Sequence, residues 1–259
     1  MSRRAQVLLL ALLLVPVLAA IACGSSPAPA EKPAATPAAE TPKPASAVTK
    51  DMHDELGRVA YIQRAVVRGD LESAVEPAKW LVDHPDTPGL PADTASYVKD
   101  IKKFAGNVAA AKNLAGAASS TAMMVSYCGA CHVAAKVTPA LPEVPKPTLT
   151  SGAVAHMLEH QWAVDLMYQG LIGPSDELWK KGVEALKAAP LSAAELPKDS
   201  TLTAEIVANE KKVHDQADKA LKTTDMGTKV ALYGEVLNAC ASCHALHGRV
   251  WGPGLPTLK

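Results

Sequence analysis

Hydrophobic and polar positions divide the chain into stretches of different character. After Arg3 and Arg4, a run with no polar residue extends from Val7 to Ala22 and ends in small residues. A basic start followed by such a run has the order of a secretory leader, and it is short of the ~20 residues a bilayer-spanning helix needs. Residues 1–22 are therefore expected to be a signal peptide. The next stretch is Ala, Pro, Ser, Thr, Lys and Glu, with prolines at 27, 29, 33, 37, 42 and 44. That composition cannot bury a core, so 23–49 is expected to be a disordered Pro/Ala tether, with a reach of up to ~80 Å at ~3.1 Å per residue.

Beyond Lys50 the pattern turns helical, and it occurs twice. Residues 52–85 can be laid over 157–190 without a gap, matching Met52 with Met157, Val59 with Val164, Ile62 with Met167, Val66 with Leu171 and Leu81 with Leu186. In both copies the apolar residues fall at i, i+7, i+10 and i+14, which is one face of a helix. A break follows in each (Gly69-Asp70; Gly173-Pro174-Ser175), then a second helix up to the aligned Pro85 and Pro190. Leu90-Pro91 and Leu196-Pro197 each precede a further helical stretch, and a long Ala-rich one closes each copy, over 113–136 and 228–247. Four helices per copy predict an all-α chain of two tandem four-helix bundles, 50–137 and 151–259. Between them, the connector 138–150 carries Pro139, Pro142, Pro145 and Pro147 and is not expected to be helical.

Composition agrees with this pattern. Apolar residues make up 48% of the 259 but aromatics only 4%, which suits close-packed helices rather than sheets. The 26 basic and 26 acidic residues leave no net charge, which argues against a nucleic-acid binder.

Of the five cysteines, one is Cys23, and the rest form two clusters at matching ends of the two copies: Cys128-Gly129-Ala130-Cys131-His132 and Cys240-Ala241-Ser242-Cys243-His244. Both read C-x-x-C-H, the signature of c-type haem attachment. Residues three and four apart share a helix face, so two thiols can reach the two vinyl groups of one porphyrin while His132 or His244 turns to the iron. The competing uses of such a pair fit less well. A thioredoxin-like pair wants a βαβ setting, a zinc site wants a fourth ligand, and a disulfide between i and i+3 of a helix has poor geometry. Two covalently bound haem c groups are thus expected.

Because each motif closes its copy, the chain resembles the class II c-type cytochromes, the cytochrome c′-like four-helix bundles, here in a tandem dihaem lipoprotein form. The resemblance implies a sixth iron ligand near the start of the first helix, where Met52 and Met157 stand. His160, i+3 from Met157, is the alternative for the second haem, and His53 and His156 are neighbours that leave bis-His ligation open. It also implies that Lys136 and Arg249 lie near a propionate, with solvated surface charge as the competing reading. Met123 and Met124 are expected to pack on the porphyrin and Trp162 to touch a haem, while His84, His214 and His247 are expected on the surface or in loops.

The stretch Leu18-Ala19-Ala20-Ile21-Ala22-Cys23 resembles the bacterial lipobox, implying that Cys23 is acylated. Gly24 after it favours the outer membrane in a Gram-negative cell. The resulting expectation is an exported, periplasmic, lipid-anchored dihaem cytochrome that passes electrons between redox proteins. The sequence offers no catalytic constellation and no sign of enzyme activity. The alternative is a high-spin protein binding or sensing nitric oxide or carbon monoxide.

Overall fold

The computed structural model describes residues 46–149, 151–188 and 203–247. The leader, Cys23, Arg249, Trp251 and nearly all of the tether lie outside them, as does the side chain of His247. The described residues are all-helical: α1 Ala47–Val67, α2 Leu71–Asp83, a 3-10 turn Ala92–Thr94, α3 Ala95–Ala109, α4 Leu114–Ala134, α5 Gly152–Ile172, α6 Asp176–Leu186, α7 Thr203–Ala220 and α8 Met226–His247. Among them no helix is long and apolar enough to cross a membrane.

Local chemistry explains the helix starts. Side chains of Ser46, Asp70, Asn113 and Ser175 accept hydrogen bonds from the backbone N–H three residues on, at the N-termini of α1, α2, α4 and α6. Ser46 accordingly begins α1 at Ala47, inside the segment expected as tether. Asp70 and Ser175 occupy aligned positions, so the repeat extends to its caps.

The face expected on α1 is buried at Val59, Ile62 and Val66, and its counterpart on α5 at Val164, Met167 and Leu171. Met52 and Met157, which open these faces, are half-buried.

The described residues form one compact unit, and a single apolar core runs through both halves. The closing helices α4 and α8 pack along each other, α1 packs on both, and α5 packs on α4. The sequence pattern suggested separately cored bundles, but α4 is apolar around most of its girth: Ala117, Ala118, Ala122, Met124 and Val125 are all buried. Such a helix needs partners on several sides.

A polar link crosses between α1 and α5. Arg64 Nη2 donates to Asp165 Oδ2 at 3.0 Å, and buried Gln63 donates through Nε2 to Asp165 Oδ1 at 3.2 Å and to Tyr233 Oη at 3.2 Å. A part-exposed ion pair contributes about 1 kcal/mol or less, whereas each fully buried Ile or Leu contributes roughly 1.5–3 kcal/mol. Packing therefore dominates the joining of the halves.

Residues 138–149 carry no helix, as expected. The connector lies against α5, where Trp162 Nε1 donates to the Val144 carbonyl at 3.0 Å and Gln169 Nε2 to that of Pro142 at 2.6 Å.

Candidate functional site

Each closing helix brings its cysteine pair and histidine to its last two turns. All four thiols are reduced. Burial pushes Cys240 up to about 12 and, with the negative charge of Glu210, Cys243 up to about 11. Burial likewise raises Cys128 and Cys131, and the Glu55 carboxylate adds to both shifts. Burial thus favours the neutral thiol at all four positions.

The two histidines are oriented in the same way. His132 Nδ1 donates to the carbonyl of Ile172 at 2.8 Å, and His244 Nδ1 to that of Val67 at 2.7 Å. A carbonyl only accepts, so the proton sits on Nδ1 and the lone pair of the neutral ring on Nε2. That is the tautomer and the backing hydrogen bond of a metal-ligating imidazole. Val67 and Ile172 occupy aligned positions in the two copies, so the arrangement is reciprocal: the end of each opening helix orients the histidine of the other half.

The approach that allows these bonds requires glycine, but on opposite partners. A Cβ at Gly129, between Cys128 and Cys131, would lie 2.1 Å from the Leu171 carbonyl oxygen. In the other half the matching residue is Ala241, and the glycine stands across from it. Gly69, at φ +74°, ends α1 in the left-handed region, and a Cβ there would lie 2.9 Å from the Ala241 oxygen. Where α4 ends, Val137 N–H bonds to the His132 carbonyl and Lys136 N–H to that of Val133, both at 3.0 Å. This helix stop forces Lys136 to φ +55°, where glycine is usual.

Opposite the cysteine motifs the halves diverge. In the second half a cavity is bordered by Val67, Met157, His160, Glu210, Cys243 and His244. Met157 and Cys243 both pack against Ile206. The sequence-predicted Met157, His160 and His244 are thus brought to one cavity. His160 is buried, its Nε2 makes no hydrogen bond, and burial lowers its pKa to about 3.

Around His160 stand His156 on α5 and Glu210 and His214 on α7. Glu210 Oε1 accepts from His156 Nε2 and, at 3.2 Å, from His214 Nε2, and lies 3.8 Å from His160 Nε2. Burial alone would raise the Glu210 carboxyl, but these hydrogen bonds outweigh it and hold it well below the usual range.

In the first half the aligned residues are acidic: Asp51 matches His156 and Glu55 matches His160. Asp51 bonds to His84 Nε2 at 2.9 Å and accepts from the Thr87 hydroxyl, which also reaches Glu55 at 3.4 Å. Burial, reinforced by Asp51, raises Glu55. Met52 lies one turn before Glu55, while His53 is exposed.

The structure also places the remaining residues that the sequence singled out. His84 lies in the bend after α2, as expected, but half-buried rather than free on the surface, stacked on Trp80 at 4.0 Å and tied to Asp51. His214 likewise turns inward to Glu210. Trp162 packs under the connector, with Lys146 and Lys181 5.5 and 5.7 Å from its ring. Met124 is fully buried in the core. Glu210 was not singled out from sequence and His214 was read as a surface or loop residue, although their i, i+4 spacing on one helix was the available signal. No family model, curated protein or solved structure matches this chain.

Proposed function

We propose that the protein is an exported, lipid-anchored dihaem c-type cytochrome that carries electrons between redox proteins. Cys128 and Cys131 would hold one haem and Cys240 and Cys243 the other. His132 and His244 would be the proximal ligands, and Met52 and Met157 the distal ones, with His160 the alternative in the second half. Haem iron supplies reversible one-electron transfer between its ferric and ferrous states.

The residues present fit that group. Neutral, reduced thiols stand three apart on one helix face, and each histidine is fixed in the tautomer that leaves Nε2 for a metal. The observation that carries the proposal is the reciprocal pair of Nδ1–carbonyl bonds at aligned positions, since a chance C-x-x-C-H would not be backed in the same way twice. The chain's other contributions are structural. The carbonyls of Val67 and Ile172 fix the ring planes, and the shared core holds both sites in one compact unit. A thioether from Met52 or Met157 would favour reduced iron. Acylated Cys23 and the segment after it would keep the carrier at a membrane.

Intact mass and an alkaline pyridine spectrum of the mature protein test this directly. Two haem increments are expected, with Cys128→Ala/Cys131→Ala and Cys240→Ala/Cys243→Ala each removing one. A colourless mature protein would overturn the proposal. An oxidised spectrum with the Met–iron charge-transfer band, diminished by Met52→Ala or Met157→Ala and abolished by both together, supports the electron carrier; a wholly five-coordinate, high-spin spectrum supports gas binding instead.

A further inference from the structure

We infer that His156, His160, Glu210 and His214 form a binding site for one divalent transition-metal ion of the zinc class, distinct from the proximal ligands His132 and His244, which gives His160 to that ion and leaves Met157 as the distal iron ligand of the second half. The four donors come from two helices. His156 and His160 are i, i+4 on α5, and Glu210 and His214 are i, i+4 on α7, a spacing that puts two ligands on one helix face. Their ligand atoms all lie within 4.8 Å of one another. A tetrahedral ion with bonds of ~2.0–2.1 Å needs donors about 3.3 Å apart, so closing on an ion takes side-chain rotation rather than helix movement. Three imidazoles and one carboxylate are a borderline-soft set, suited to zinc rather than to magnesium or calcium.

Burial supplies the independent sign of a ligand. The side chain of His160 is only 9% exposed, and its Nε2 points toward Glu210 without hydrogen-bonding to it. A buried nitrogen without a partner carries its full desolvation cost, which a bound cation would remove. The first half offers a contrast: Asp51, Glu55 and His84 also converge, but Thr87 and His84 already satisfy the carboxylates.

The site is tested on the full mature protein, stripped with a chelator and dialysed against zinc alone, by counting zinc and iron separately per chain and measuring zinc affinity by calorimetry. One tightly held zinc per chain is expected. Glu210→Gln, nearly isosteric, and His214→Ala should each weaken binding by at least about 100-fold, the upper end of what even outer-shell partners cost. Circular dichroism checks that helix content persists; if His214→Ala loses it, Glu210→Gln decides. A wild-type chain that retains no stoichiometric zinc, or a Glu210→Gln chain that retains it undiminished, would overturn the assignment. Zinc bound to a chain without iron would defeat the haem proposal and leave this one standing.

Discussion

The two halves share a closing helix and differ at the opening one. At the cysteine ends the copies are near-equivalent: histidines at matched positions donate through Nδ1 to carbonyls at matched positions, 2.8 Å in one half and 2.7 Å in the other. At the start of α1 the face is Asp51 and Glu55, answered by His84 and Thr87; at the start of α5 it is His156 and His160, answered by Glu210 and His214. The charges are thus inverted, with acids on the opening helix in one half and an acid on the facing helix in the other. The hydrogen bond that holds the ring in place is the same in both halves, while the part facing the site differs in chemistry.

The largest effect should come from the mirrored close contact. Gly129→Ala, which merely copies Ala241, drives a methyl into the Leu171 carbonyl and should cost about 3 kcal/mol or more by overpacking against backbone. The reverse change, Ala241→Gly, faces no such obstacle and should cost only about 1–2 kcal/mol through helix propensity and a lost buried methyl. Chemical denaturation of both variants checks this, and equal losses would mean that the two contacts are not mirror images.

A smaller effect is expected where α4 stops. Lys136 holds a left-handed backbone without being glycine, whereas Gly69 meets the same need at the end of α1. Lys136→Gly should stabilise by about 1 kcal/mol, seen as a rise in Tm.

The smallest effect is a pH dependence set by Glu55. Its pKa is raised above the ordinary 4.5 in the folded chain, so the folded state holds its proton at pH values where the unfolded chain has lost it. Its contribution to stability is full below 4.5 and declines as pH rises through the folded value. The stability of wild type minus that of Glu55→Gln should therefore fall as pH rises above 4.5. A flat difference would show that the carboxyl is not shielded from water.

The helices and their doubling were legible because each depends on local signals: apolar spacing, caps such as Asp70 and Ser175, and prolines in the connector. The cysteine motifs were legible because covalent spacing is read directly. The shared core was not, because Ala-rich α4 is apolar on several sides and its pattern does not say which side meets α8. Glu210, and the inward partners of His214 and His84, were missed for a related reason. On a helix surface they look like ordinary polar residues, and only folding brings α7 against His156 and His160 and the end of α2 against Asp51. Gly129 looked like a spacer within its motif because the Leu171 carbonyl that requires it lies 42 residues downstream.

Exchange of carbonyls between the halves also makes biosynthesis unequal. On a chain made from its N-terminus, His132 emerges 40 residues ahead of the peptide group that steers it, while His244 emerges 177 residues behind its own. The earlier imidazole must wait for its guide, and the later one arrives to find its guide already made.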